Sequence, residues 1–182
     1  MKKISLDLSK LHSYNISGSA IFVLLILAII IISYLLFHNP YQSLHKQIFV
    51  TADKVRNYYR DNPDYWKLST EIAKNENLIS KELLRHEDYN IQVGQGENGT
   101  QGFPGNLSFD IALHNVGKSA CISLLELPIS TQQQLGLQKI TVKNIQNTVE
   151  FSWGSEFSLP IKKHTVRNIC TASENTILWN FQ

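Results

Sequence analysis

The side chains of widest chemical reach in this sequence are six histidines, His12, His38, His45, His86, His114 and His164, and two cysteines, Cys121 and Cys170. A bound metal ion needs several such ligands at short, regular spacings, and neither His-x-x-x-His nor Cys-x-x-Cys occurs. Asp110 and His114 could be read as a proton relay. Four residues apart on one strand face, however, they would stand about 13 Å from each other, too far to share a proton. No Gly-x-Ser-x-Gly elbow presents a serine nucleophile. Gly94, Gly96, Gly99, Gly102 and Gly105 form a glycine-rich run, but no Lys-Ser or Lys-Thr follows directly on it, so it lacks the signature of a phosphate cradle. The remaining catalytic arrangement is Cys121 activated by His114, and its weight depends on the compartment in which the cysteines reside.

The compartment is set by residues 20–37, AIFVLLILAIIIISYLLF, which hold no charged side chain and neither Gly nor Pro. As a helix this run is about 27 Å long, close to the roughly 30 Å hydrocarbon core of a bilayer. A signal peptide would close on a small-x-small cleavage site, whereas this run ends in Leu35, Leu36, Phe37, His38, Asn39 and Pro40. A buried helix of a soluble domain would show one apolar stripe, whereas Ile, Val and Leu fill every face here. Lys2, Lys3 and Lys10 precede the run against Asp7 alone, and the next lysine is Lys46. The positive flank therefore predicts a cytoplasmic N-terminus, with everything after Phe37 on the far side, the periplasm in a bacterium. The leader carries three lysines and one aspartate, hence the whole net charge of +2, and leaves the remainder neutral. That balance offers no nucleic-acid surface.

Beyond the span the pattern changes. Leu44, Ile48, Ala52, Val55 and Tyr59 recur at steps of four, four, three and four, which predicts an amphipathic helix over residues 38–60. His45, Lys46, Asp53, Lys54, Arg56 and Arg60 fall on its other face. Pro40 is expected to bend or interrupt the helix locally. Residues 61–182 then suit a single exported head. Ser69 or Thr70 caps a short helix through Ile72 and Ala73, and Ser80 a second through Leu83 and Leu84. Residues 87–105 read as a loop. Leu107, Phe109, Ile111 and Leu113 alternate with Ser108, Asp110, Ala112 and His114 as a half-buried strand. Residues 118–127 predict a helix with Ala120, Leu124 and Leu127 inward and Ser119 near its start. Ile140 and Val142 pair with Val149, Phe151 and Trp153 across a turn at residues 144–147. Pro160 opens a helix running to Cys170, and residues 176–181 form a last strand. The fold class is α+β: a long N-terminal helix packed on an antiparallel sheet with short helices.

In an oxidising compartment Cys121 and Cys170 are expected to pair. A bridge closing a loop of about 50 residues stabilises a fold by about 4 kcal/mol on the loop-entropy estimate. A metal site or two free buried thiols are the alternatives. Cystine formation removes the nucleophile, so the reading is of a protein without catalytic residues, metal or cofactor.

The layout resembles a type IV pilin-like subunit, closest to the type IVb group of conjugative thin-pilus, toxin-coregulated and bundle-forming pilins. The segment FDIALHNVGKSACISLL, residues 109–125, is similar to the strand, turn and cysteine-bearing helix of that group. CTASENTILWNF, residues 170–181, is similar to its closing part. Pro40 stands 22 positions beyond Gly18 (40 minus 18), where many such pilins carry a helix-bending proline. The resemblance implies a leader of residues 1–18 with a candidate cleavage point between Gly18 and Ser19, and a membrane helix over residues 19–37. It also implies an assembly surface of Val23, Leu24, Leu27, Ile31, Leu35, Pro40, Leu44 and Ile48. Its implied partners are other pilin subunits and an inner-membrane assembly platform. The protein would be anchored in the bacterial inner membrane, or extracellular once in a pilus serving conjugation, secretion or adhesion.

Two positions depart from the family pattern. Ser19 stands where an apolar residue is usual, and Val23 where a Glu is usual, which removes the partner of a neighbouring subunit's terminal amine. The resemblance thus points to a minor subunit and leaves cleavage open. The alternative is a single-pass periplasmic scaffold or adaptor of a secretion system that does not polymerise.

Overall fold

The computed structural model describes residues 18–37, 40–61, 65–85, 89–96, 107–130, 134 and 136–182. The leader, and the continuity of the helix across His38 and Asn39, lie outside the described residues. The chain divides into two compact units, Met1–Asn39 and Pro40–Gln182.

The described part of the first unit is the helix α1 (Gly18–Phe37), whose interior of Leu, Ile, Ala and Val contains nothing that breaks a helix. Among the described residues no helix is long and apolar enough to cross a membrane. The side chains of α1 are described for residues 21–33 alone, a stretch shorter than a span requires.

The second unit begins with α2 (Pro40–Tyr58). Pro40 occupies the first helical position, where a missing N–H leaves nothing unsatisfied. The predicted stripe is the buried one: Leu44, Ile48, Ala52 and Val55 are inaccessible and Tyr59 packs at its end. His45 is a correction. Placed on the polar face by its type, it lies buried with its ring edge against Phe49, centroids 5.0 Å apart.

Two short helices follow, α3 (Thr70–Asn75) and α4 (Lys81–Arg85). Each starts where a serine satisfies an orphan amide. Ser69 Oγ accepts from Ile72 N at 3.2 Å, and Ser80 Oγ accepts from Leu83 N at 3.3 Å. Ser80 N in turn donates to Thr51 Oγ1 on α2 at 3.2 Å, which docks α4 against the long helix.

The expected loop over residues 87–105 is in part a strand, β1 (Asn90–Gln95), pairing antiparallel with β2 (Phe109–Val116). Gly94 stands opposite Asp110 in the ladder, and residues 97–106 lie outside the described set. α5 (Lys118–Glu126) starts from Gly117 without a side-chain cap, so Ser119 does not cap it. The helix turns inward Ala120, Cys121, Leu124 and Leu125, leaving Leu127 half-buried beyond its end. β3 (Leu137–Lys143) and β4 (Thr148–Ser152) form the predicted hairpin, with Ile140 opposite Phe151 and Val142 opposite Val149. Asn144 Oδ1 accepts from Gln146 N and Asn147 N, both at 2.9 Å, and so folds the turn. α6 (Lys163–Ile169) begins three residues after Pro160, with Lys162 still extended before it, so Pro160 does not open the helix. β5 (Asn175–Phe181) closes the chain.

The sheet order is β1-β2-β5-β3-β4, so the last strand lies in the middle. Phe109, Ile111, Leu113, Ile140, Val142, Ile177, Trp179 and Phe181 share one core with the buried stripe of α2. Phe49 of α2 meets Phe181 edge-on at 5.7 Å, and Phe181 stacks on Phe109 at 5.5 Å. The open edge of β1 is closed by Thr70, whose hydroxyl donates to Val93 O and accepts from Val93 N, each at 3.0 Å.

Candidate functional site

The side chains expected to form an assembly surface fall into two classes. Val23, Leu24, Leu27 and Ile31 lie along α1, whose apolar side chains from Ile21 to Ile32 that are large stand 43% to 65% exposed on every turn. Gly18 and Ser19 form the first turn of that helix, and Leu35 its last; their side chains, like that of Pro40, lie outside the described residues. Leu44 and Ile48 are different. At 1% and 0% exposure they are core residues of the head, because α2 turns this stripe onto the sheet. They cannot present a surface to another chain, and the expected surface is corrected to exclude them.

Cys121 and Cys170 are joined as a disulfide, with Cα atoms 5.8 Å apart and the two residues 49 positions apart in sequence. The bond ties the second turn of α5 to the residue that ends α6. Both sulfurs are buried, so the thiol nucleophile read beside His114 does not exist. His114 instead joins the uncovered face of the sheet, its Nδ1 3.2 Å from Thr176 Oγ1 and its Nε2 2.9 Å from Gln92 Oε1. Asp110, on the same face, accepts from Asn180 Nδ2 at 2.6 Å. None of these bonds joins Asp110 to His114. His164 is exposed on α6, while His12, His38 and His86 lie outside the described residues. Among the described residues no group of three or more His, Cys, Asp or Glu is placed to hold a metal ion.

Two arrangements were not legible in the residue pattern. Asn175 Nδ2 donates to Val116 O and Ala172 O, both at 3.0 Å, and so bridges the end of β2 to the start of β5. This bridge spans the irregularity where the β2–β5 register shifts and Asn115 takes a positive φ of 62°. The second is the setting of His45, whose imidazole is held at a pKa of about 4 by desolvation on burial. Its sequence signal was the four-residue step to Phe49. Burial also raises the phenol of Tyr65, with Arg56 pulling the other way.

The helix α2 laid over a five-stranded antiparallel sheet, with short helices and a cystine near the C-terminal strand, defines a type IV pilin-like fold. One solved structure it is similar to is that of TcpA, a type IV pilin from Vibrio cholerae El Tor biotype. The TM-score is 0.51 at 12% sequence identity, over 76% of this chain and 98% of that one. No family model and no curated protein matches the sequence.

Proposed function

We propose that this chain is a non-enzymatic, minor subunit of a type IVb pilus or a related conjugation or secretion filament. The observation that carries the reading is the pilin-like fold of the head, shared with TcpA. The exposure of α1 supports it, since a helix apolar on all turns calls for a lipid or helix partner around its whole girth. In this reading α1 anchors the chain in the inner membrane, with the N-terminus cytoplasmic and the head periplasmic. From there an assembly platform moves it into contact with other pilin helices through Val23, Leu24, Leu27, Ile31 and Leu35. Helix association in lipid rests on close packing of such side chains and not on hydrophobic exclusion.

Val23 in place of a carboxylate favours a low-copy subunit, because no acid at that place answers a neighbour's terminal amine. The same residue favours the rival, a single-pass periplasmic scaffold that does not polymerise. Shearing filaments from cells and probing for this chain separates the two. The pilin reading predicts the chain in the sheared fraction at a small fraction of the major subunit. Retention of all of it in the membrane fraction contradicts the pilin reading. Mass spectrometry of the same material reads the mature N-terminus and decides whether the bond between Gly18 and Ser19 is cut.

A further inference from the structure

His45 lies in the second turn of α2, 5% exposed, at the wall of a small chamber of about 60 Å³. The chamber is closed by Leu124 and Leu125 of α5, Ile140 of β3, Trp179 of β5, and the Pro128–Ile129 and Pro160–Ile161 corners. Among the described residues, the one titratable side chain that lines it apart from His45 is Glu126, at the end of α5. Glu126 Oε1 is buried, makes no hydrogen bond, and stands 3.6 Å from Arg167 Nε of α6. The other ionisable groups of the first turns of α2, Tyr41 and Lys46, do not line the chamber. Among the described residues, the neighbours of His45 from the sheet and both corners are therefore apolar or uncharged, and the one carboxylate that lines the chamber already faces a guanidinium.

We propose that this chamber makes the seating of α2 on the sheet acid-sensitive, with His45 as the proton-sensing group. A neutral imidazole fits the chamber, whereas an imidazolium there would be a buried charge without a free counter-ion. Protonation therefore drives His45 out, and Leu44 and Ile48 on the adjoining turns lose their seat against the sheet with it. The direction follows from linkage. The folded-state value, about 4, is below the ordinary 6.5, so the unfolded chain binds the proton more readily. Stability is full above about pH 6.5 and falls as the pH drops toward about 4. The device concerns the head alone and stands whether or not the chain polymerises.

The test uses the full-length chain in detergent micelles. Urea unfolding of the head at pH 7.5 and pH 5.0 is compared between wild type and His45→Phe, which keeps a ring in the chamber but cannot take a proton. The account expects the folding equilibrium of the wild type to weaken about 30-fold more than that of His45→Phe over this interval. Equal weakening of both overturns it. If His45→Phe does not fold, the wild-type imidazole is titrated by NMR. Titration near pH 4, with resonances of Trp179 moving in step, supports the seat. An ordinary midpoint near 6.5, or one raised by pairing with Glu126, refutes it.

Discussion

The two long helices, α1 with 20 residues and α2 with 19, differ in how they are covered. α2 has one apolar stripe, and the sheet and short helices of the head cover it. α1 is apolar on every described turn, and its large side chains remain about half exposed. A helix with one stripe can be satisfied by its own domain. A helix that is apolar all round needs a second medium or other chains. The contrast locates the packing of the head in α2, and under the proposed function it leaves assembly to α1. It also explains why Leu44 and Ile48, expected to serve both, serve only the first.

The contrast can be broken or sharpened by substitution, read as head stability in urea unfolding. The largest effect should come from Cys170→Ser, which opens the link between α5 and α6 and should destabilise the head by about 4 kcal/mol. An effect under about 1 kcal/mol would mean that the core alone holds these helices in place. Ile48→Ala, in the buried stripe, should cost about 3 kcal/mol through the cavity it leaves. Ile31→Ala on α1 should change the same transition by no more than about 0.5 kcal/mol. Comparable losses from the two substitutions would erase the distinction between the helices. Thr70→Val strips the hydroxyl that meets both polar groups of Val93, and about 1 to 2 kcal/mol should be lost. The bared edge of β1 should also increase self-association at high concentration, as seen by light scattering. Ser69→Ala should be the mildest of the substitutions within the head, near 1 kcal/mol, through loss of the α3 cap.

Much of this architecture was legible in the residues. Period and spacing located the α2 stripe, the β3–β4 hairpin and the serine caps, since each depends on neighbours within a few positions. What escaped depends on distant partners. β1 was hidden by Gly94 and Gly96 and by its polar Gln92 and Gln95, residues that read as loop until β2 is known to lie alongside. The central position of β5 is a property of topology that no local pattern records. His45 was misplaced because a residue type usually exposed was given the polar face, while a ring contact four residues on decides its seat. For the candidate surface, sequence named apolar residues on both helices. It could not say that the head had claimed those of α2.

Site-specific photo-crosslinking in cells, with the reactive residue at Leu27 in one strain and at Ile48 in another, tests the division between the helices most directly. Adducts from Leu27 to other pilin subunits, with Ile48 yielding only products within its own chain, are the predicted result. Adducts to other subunits from Ile48 and none from Leu27 would contradict it.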